Sequence, residues 1–557
     1  MKEKILSLIP LIEILLVVFV TVFTFRDLPF TYFQQDEWVS LGYQKISSIS
    51  AELSKIPYYL VLAGKNRPFF IIIYYLFFYL IGSGVLPWAV LAIVAHMLNG
   101  LLIRKIAGLF GIYHTYATLA GIFYIVCYSS HQAVSWWATS LTTLSSLFFI
   151  LISLFFAIKQ KRVWAIVCAI TSFYFKESSV AWMILLPLLG VSKWNTRNII
   201  VELKKYVPLF IFVVFVISVR IVNLYVSGWE SQLSATVSSG VPKLGILVNA
   251  ILYPLISFSE TFLPLPFIRK IVDLVFMSRY SGLMSVENIN VVKELLVTDL
   301  IGLYASFIFI CVIGIVLHFV KKYRRLIVFS ALLLLFSFLP FSVTNRGGEY
   351  LDSRYFSFAA AAGGLLISGL LASIELWSKR RKSLNIVVIV SILIVITGYF
   401  YKQSVYIIRD IRYQRIVGDE RRHMLDSIKT LYWNLPDKPV LYATGSAEAF
   451  YGISGMRLPL QQGPGYTFMV LFFDTGKIPK KPIYDMRLWG MLDQGYFEDG
   501  NQAFGYYHSF ETLYADVCSN KFTTSQIRGF YYDATDKKIR DITQEIVSKI
   551  GNCENNF

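Results

Sequence analysis

Two acids stand side by side in "TYFQQDEWVSLGY", residues 31–43, directly after an apolar run of membrane-spanning length. Asp36 and Glu37 have the chemistry of a general base that takes a proton from an attacking hydroxyl or amine. Neighbouring residues point about 100° apart on a helix and to opposite faces on a strand, so only one of the two would face an acceptor. The other would orient a partner or a metal. The plainer alternative is a solvated pair capping a helix that starts near Trp38. Cations suited to a leaving phosphate recur downstream: Lys65 and Arg67 in "GKNRPFF", Lys176 beside Glu177 in "FKESS", and Arg346 and Arg354, the latter next to Tyr355, in "TNRGGEYLDSRY". His131 in "SSHQAVSWW" adds a candidate acid, base or ligand.

Each of these has an ordinary reading. Arg67 could anchor an interfacial helix by snorkelling, although Pro68 fixes a helix start where a phosphate could sit. Lys176 and Glu177 could pair with each other at a helix end, but ions at membrane depth are costly and often functional. His131 in an aromatic loop could be a satisfied interfacial residue. Arg346, Glu349, Asp352 and Arg354 surround a Gly-Gly loop, where solvated charge is the default; Arg354, one residue from a span, is best placed to reach a headgroup. Glu13, inside the first span, is expected to form a structural pair.

The elements that would position these groups are membrane helices. Of 557 residues, 56% are hydrophobic and 16% charged, and apolar runs alternate with short basic clusters. The net charge of +17 follows from Lys and Arg in the loops, so topology rather than nucleic acid explains it. Lys2 and Lys4 place the N-terminus in the cytoplasm, and residues 5–25 form a retained first span. About eleven spans follow from keeping basic loops inside: 5–25, 85–103, 115–129, 138–158, 163–175, 179–191, 206–226, 299–319, 326–343, 356–377 and 384–401. The run 68–82, near fifteen residues, reads as juxtamembrane or partly inserted, and the Pro-bearing run 244–267 as re-entrant or surface-lying. The fold class is thus an α-helical polytopic membrane protein. Its membrane domain covers 1–401, with a first outer loop 26–84 and an outer region 227–298, and an extracytoplasmic α/β domain covers 402–557. In that tail "PVLYATG" and "IRGFYYDAT" read as strands and "QQGPGY" as a turn. The five cysteines show no zinc spacing; Cys518 and Cys553 leave one tail disulfide open.

On this topology the acids, the histidine and the cations collect on the outer side, while the inner loops carry little but Lys and Arg. Such a set suits group transfer from a lipid-phosphate carrier. An acidic pair soon after span one ("QQDEW") and a basic-Pro juncture opening an apolar helix ("GKNRPFF") resemble the GT-C superfamily of lipid-phosphate-sugar-dependent glycosyltransferases. Among these, the protein O-mannosyltransferases, the aminoarabinose transferases and the transmembrane tetratricopeptide-containing mannosyltransferases look closest. The last are similar through "HMLNGLLI", "SSHQAVSWW", "FKESSVAWMILLPLL" and "DSRY", and the likeness covers roughly residues 1–400 as an architecture. It implies an inverting enzyme, with Asp36 as catalytic acid–base and Arg67 as the juncture cation. It also implies a polyprenyl-phosphate-linked sugar as donor, and a glycan, lipid or protein as acceptor. The juncture is Asn-Arg-Pro and His131-Gln132 stands where some members carry acidic ligands, so a divalent metal stays open. A polysaccharide polymerase or ligase, a membrane transporter and a sugar-binding factor are the competing classes. Transporters would show inverted repeats and midplane charges, and the chain shows neither.

Overall fold

The computed structural model describes residues 2–61, 67–82, 84–191, 196–226, 243–264, 266–268, 270–271, 287–341, 353–379, 385–450, 453–460 and 463–551. They fall into two compact units. One comprises Met1–Arg26, Lys55–Tyr74 and Pro87–Arg409, the other Asp27–Ser54, Tyr75–Leu86 and Asp410–Phe557.

Among the described residues, seven helices are long and apolar enough to cross a membrane: Leu8–Phe30, Val85–Leu109, Thr139–Ile158, Leu300–Phe319, Arg324–Phe341, Arg354–Lys379 and Val390–Leu431. Four more apolar helices are shorter: His114–Val126, Arg162–Phe175, Glu177–Leu189 and Val207–Val219. Apolar runs become helices because in hydrocarbon a helix satisfies its own backbone groups. Two runs depart from their expected shape. The run 179–191 is broken into Glu177–Ser179, Val180–Met183 and Leu186–Leu189, the last with Pro187 at its second position, where no N–H is present to continue a helix. The run expected to end at 401 belongs to one helix, Asn385–Leu431, of 47 residues. At 1.5 Å per residue that is about 70 Å, more than twice a hydrocarbon core. The Pro68–Ile81 helix, by contrast, spans only about 21 Å. The Pro-bearing run contains the Lys243–Phe262 helix, with Pro254 inside it.

In the first unit the His114–Val126 and Ser357–Lys379 helices form the core. Ten of the thirteen residues of the former are buried, as is the whole "AAAAGG" run, 359–364, of the latter. Small residues allow the contact: a Cβ on Gly364 would lie 2.5 Å from the Ala120 carbonyl oxygen, and one on Gly121 would lie 2.6 Å from that of Gly100. Lipid supplies no hydrophobic drive between helices, so close backbone approach and interhelical hydrogen bonds hold them. His96 sits between the Tyr124 hydroxyl (3.0 Å) and the Ile125 carbonyl (3.2 Å), and Asn99 donates to the Leu144 carbonyl at 3.0 Å. Glu13 is paired, with Arg104 at 2.9 Å and His114 at 2.5 Å.

The second unit is built on a sheet. Its strands are β1 (Val440–Gly445), β2 (Ala449–Phe450), β3 (Ile453–Ser454), β4 (Gly495–Asp499), β5 (Gln502–Tyr507), β6 (Ile527–Asp533) and β7 (Lys538–Asp541). Five are ordered β4-β5-β1-β6-β7, and β2 pairs with β3. The two segments read as strands become β1 and β6, parallel neighbours with Val440 opposite Ile527. β1 also runs parallel to β5, and the edges β4 and β7 are antiparallel. The apolar β1 sequence suits a central parallel strand. The Phe510–Cys518 helix, N-capped by Ser509, connects β5 to β6, and Cys518 is disulfide-bonded.

Residues 27–54 belong to this unit, and arginines of the 385–431 helix bind them. Asp27 accepts from Arg412 and Arg415, each at 3.3 Å. Arg421 donates to the carbonyls of Phe33 and Pro459, and Arg422 to that of Thr31. The first half of the expected outer loop is therefore folded onto the tail's own helix.

The close approach at Gly121 makes a specific demand. Gly121→Leu is expected to destabilise the detergent-solubilised protein by about 1–3 kcal/mol, read as a lowered melting temperature. Gly108→Leu is the control, because a Cβ there meets nothing within 4 Å. Equal melting of the two variants would remove the packing account.

Candidate anion-binding site

Serines fix the register of two neighbouring helices, Trp137–Ile158 and Arg162–Phe175. The Ser146 hydroxyl donates to the Ser172 carbonyl (2.9 Å), Ser172 donates back to that of Ser146 (2.6 Å), and Ser153 donates to Ala165 (2.6 Å). This register brings Lys176, at the C-terminal end of the second helix, opposite Thr143 of the first, and its Nζ donates to the Thr143 hydroxyl at 2.7 Å. Lys176 is buried. Burial lowers its pKa to about 7; the Arg67 and Arg354 charges act in the same direction and Glu177 against them.

Glu177 opens the turn that follows and takes the Arg67 guanidinium side-on, with Nε to Oε2 at 3.1 Å and Nη2 to Oε1 at 3.0 Å. Arg67 has φ of 41°, a left-handed conformation that a side-chain-bearing residue rarely adopts. Pro68 disfavours the right-handed helical alternative at this position. Strain of this kind costs about 1–3 kcal/mol and persists where neighbouring contacts over-determine it. Here a bidentate ion pair supplies such a contact.

Arg354 lies in the Ser353–Phe356 turn that leads into the Ser357–Lys379 helix. Its guanidinium is 4.2 Å from the ring centre of Trp136 and 5.1 Å from that of Tyr355. The Lys176 Nζ is 5.6 Å from the same Tyr355 ring. Four segments far apart in sequence therefore contribute to one cluster: Arg67, Lys176 with Glu177, Arg354 with Tyr355, and the supporting Trp136 and Thr143. Among the described residues it holds three cations against one carboxylate, with aromatic faces that limit hydration. Planar forks and an ammonium in this arrangement can hold a phosphate. Thr143 was not legible as a site residue, because a threonine in an apolar helix has many roles. Trp136 lies in "SSHQAVSWW", where its residue type alone does not distinguish it from an interfacial aromatic.

The remaining predicted residues are placed differently. His131 is buried, with Nδ1 donating to the Tyr128 carbonyl at 2.6 Å and its ring stacked 4.7 Å from that of Tyr128. The turn and short helix on either side of it pack on the 353–356 turn. Asp36 and Glu37 lie in the second unit, in the first turn of the Gln35–Ile46 helix. Glu37 is 1% exposed and its Oε2 accepts from the Gln34 N–H at 2.5 Å, closing a capping box at the helix start. Asp36 is half-buried one residue earlier, where the helix dipole favours its charge. Lys65, Arg346, Glu349 and Asp352 lie outside the described residues. Among the described residues, no group of three or more His, Cys, Asp or Glu is placed to hold a metal ion. Compared with protein-family models, curated proteins and solved structures, the chain matches none.

Two outcomes follow from this geometry. Sulfate stays a dianion across neutral pH, so its binding reports protein groups alone. Because burial lowers the Lys176 pKa to about 7, sulfate affinity is expected to fall as pH rises through that value. Lys176→Arg should flatten the profile, and a flat wild-type profile between pH 6 and 9 would contradict the assignment. At the other position, Glu37→Gln keeps an oxygen acceptor and is expected to fold normally, whereas Glu37→Ala should cost about 1 kcal/mol in thermal stability.

Proposed function

We propose that the protein is an inverting integral-membrane glycosyltransferase that draws a sugar from a polyprenyl-phosphate donor. The observation that carries this reading is the convergence of Arg67 and Arg354 on Lys176 in the first unit, with Glu177 paired to Arg67. These cations would hold the donor phosphate and stabilise the charge that grows on it as the anomeric C–O bond breaks. Asp36, the acid marked by the first-loop resemblance, is the candidate that would take the proton of the acceptor hydroxyl or amine. Glu177 is committed to Arg67 and serves to hold the cluster rather than to accept a proton. Reaction on the outer side of the membrane, with the N-terminus cytoplasmic and the second unit extracytoplasmic, agrees with the basic inner loops. A disulfide at Cys518 also suits an oxidising compartment. The acceptor is a glycan, a lipid or a protein.

One observation favours a second reading. Arg67 and Arg354 share a cluster in the first unit, which suits a polysaccharide polymerase or ligase that depends on arginines. The two readings part at Asp36.

Mass analysis of glycans and lipid-linked sugars in a strain lacking the protein tests the enzyme. One polyprenyl-phosphate sugar should accumulate as one glycan residue disappears. An unchanged profile in both would count against any transferase. In the complemented strain, Arg354→Ala and Lys176→Met are each expected to lower transfer by about 10- to 100-fold, as for loss of a charge-assisted contact. Asp36→Asn should lower it by about a hundredfold or more at unchanged expression. Near-normal transfer by Asp36→Asn, with loss in Arg354→Ala, would instead identify the arginine-dependent class.

A further inference from the structure

Trp433 is 81% exposed, the most exposed large apolar side chain among the described residues. Its position is fixed by its neighbour. Tyr432 turns into the second unit, only 3% exposed, and its hydroxyl donates to the Gly529 carbonyl at 2.7 Å, leaving the next residue outside. Trp433 lines a cavity of about 700 Å³ together with Asp426, Lys429, Phe472, Asp474 and Thr475. This lies within the usual range of ligand pockets, about 300–1,000 Å³. Asp426 and Lys429 come from the last turns of the 385–431 helix, and Asp474 is oriented by an ion pair with Lys45.

We propose that this cavity is a carbohydrate-binding subsite that takes a neutral pyranose oligosaccharide with one ring stacked on the Trp433 indole. The C–H face of a pyranose is apolar and matches an aromatic face, while its equatorial rim of hydroxyls needs acceptors and donors at the sides. Asp426 and Asp474 supply acceptors, Lys429 a donor and Thr475 both. A membrane surface is a poorer match. Interfacial segments present clustered Lys and Arg to anionic headgroups, whereas this lining carries two carboxylates and one lysine. The lining belongs wholly to the second unit, so the inference does not depend on the donor reading of the Arg67 cluster.

The test uses the full-length protein in a detergent without a sugar headgroup, titrated with maltotriose, cellotriose and chitotriose. Saturation-transfer NMR and tryptophan fluorescence report binding. At least one trisaccharide should bind saturably in the millimolar range, and Trp433→Ala should weaken it about tenfold. Asp426→Asn should weaken it several-fold, and sulfate binding should be unchanged in both variants. No binding by any of the three sugars would overturn the proposal, as would equal binding by Trp433→Ala. Quenching of Trp433 by brominated lipid in proteoliposomes, judged against Trp433→Phe, would also overturn it in favour of a membrane contact.

Discussion

The bidentate pair between Arg67 and Glu177 makes the first unit's cation cluster tenable. Arg67, Lys176 and Arg354 repel one another, and poor hydration strengthens that repulsion. Lys176 registers the effect, since burial and the two neighbouring guanidiniums lower its proton affinity together. A single carboxylate joined to Arg67 by two hydrogen bonds offsets part of this cost. The same contact helps retain Arg67 in its left-handed conformation ahead of Pro68. Charge is thereby assembled in place by the fold, the condition that electrostatic preorganisation requires.

Helix packing delivers these residues. Serine-to-carbonyl bonds between the 137–158 and 162–175 helices set where Lys176 emerges. The small residues of the 357–379 helix let it lie against the 114–126 helix and so position the turn that carries Arg354. In both cases the supporting contacts involve backbone oxygens. They tolerate little change in side-chain size, which is a suitable foundation for a site that needs geometric precision.

The second unit follows a different logic. An arginine-rich stretch of the 385–431 helix binds the chain just after the first span, through Asp27 and the carbonyls of Thr31 and Phe33. This turns a polar connection into part of a folded body and gives Glu37 a capping role at a buried helix start. A carboxylate pair that looks alike in sequence is thereby divided. One member is bound into helix capping, and the other remains the candidate base. In the same unit, Tyr432 and Trp433 show how adjacent aromatics can divide between core and surface.

Local pattern determined much of this protein. Apolar runs of sufficient length became helices, the acid inside the first span is paired, and the segments read as strands became β1 and β6, because hydrocarbon length, desolvation and β-propensity act over a few residues at a time. Residue type also marked Arg67, Lys176, Glu177, Arg354 and Tyr355 as candidates. Tertiary structure alone decided that these five share one cluster, that Thr143 and Trp136 support it, and that residues 27–54 fold with the tail. It also carried the helix that begins at Asn385 on to Leu431. The reason is physical: a contact between residues 110 positions apart, such as Arg67 and Glu177, depends on helix register and on which backbones can approach, and no local period records either.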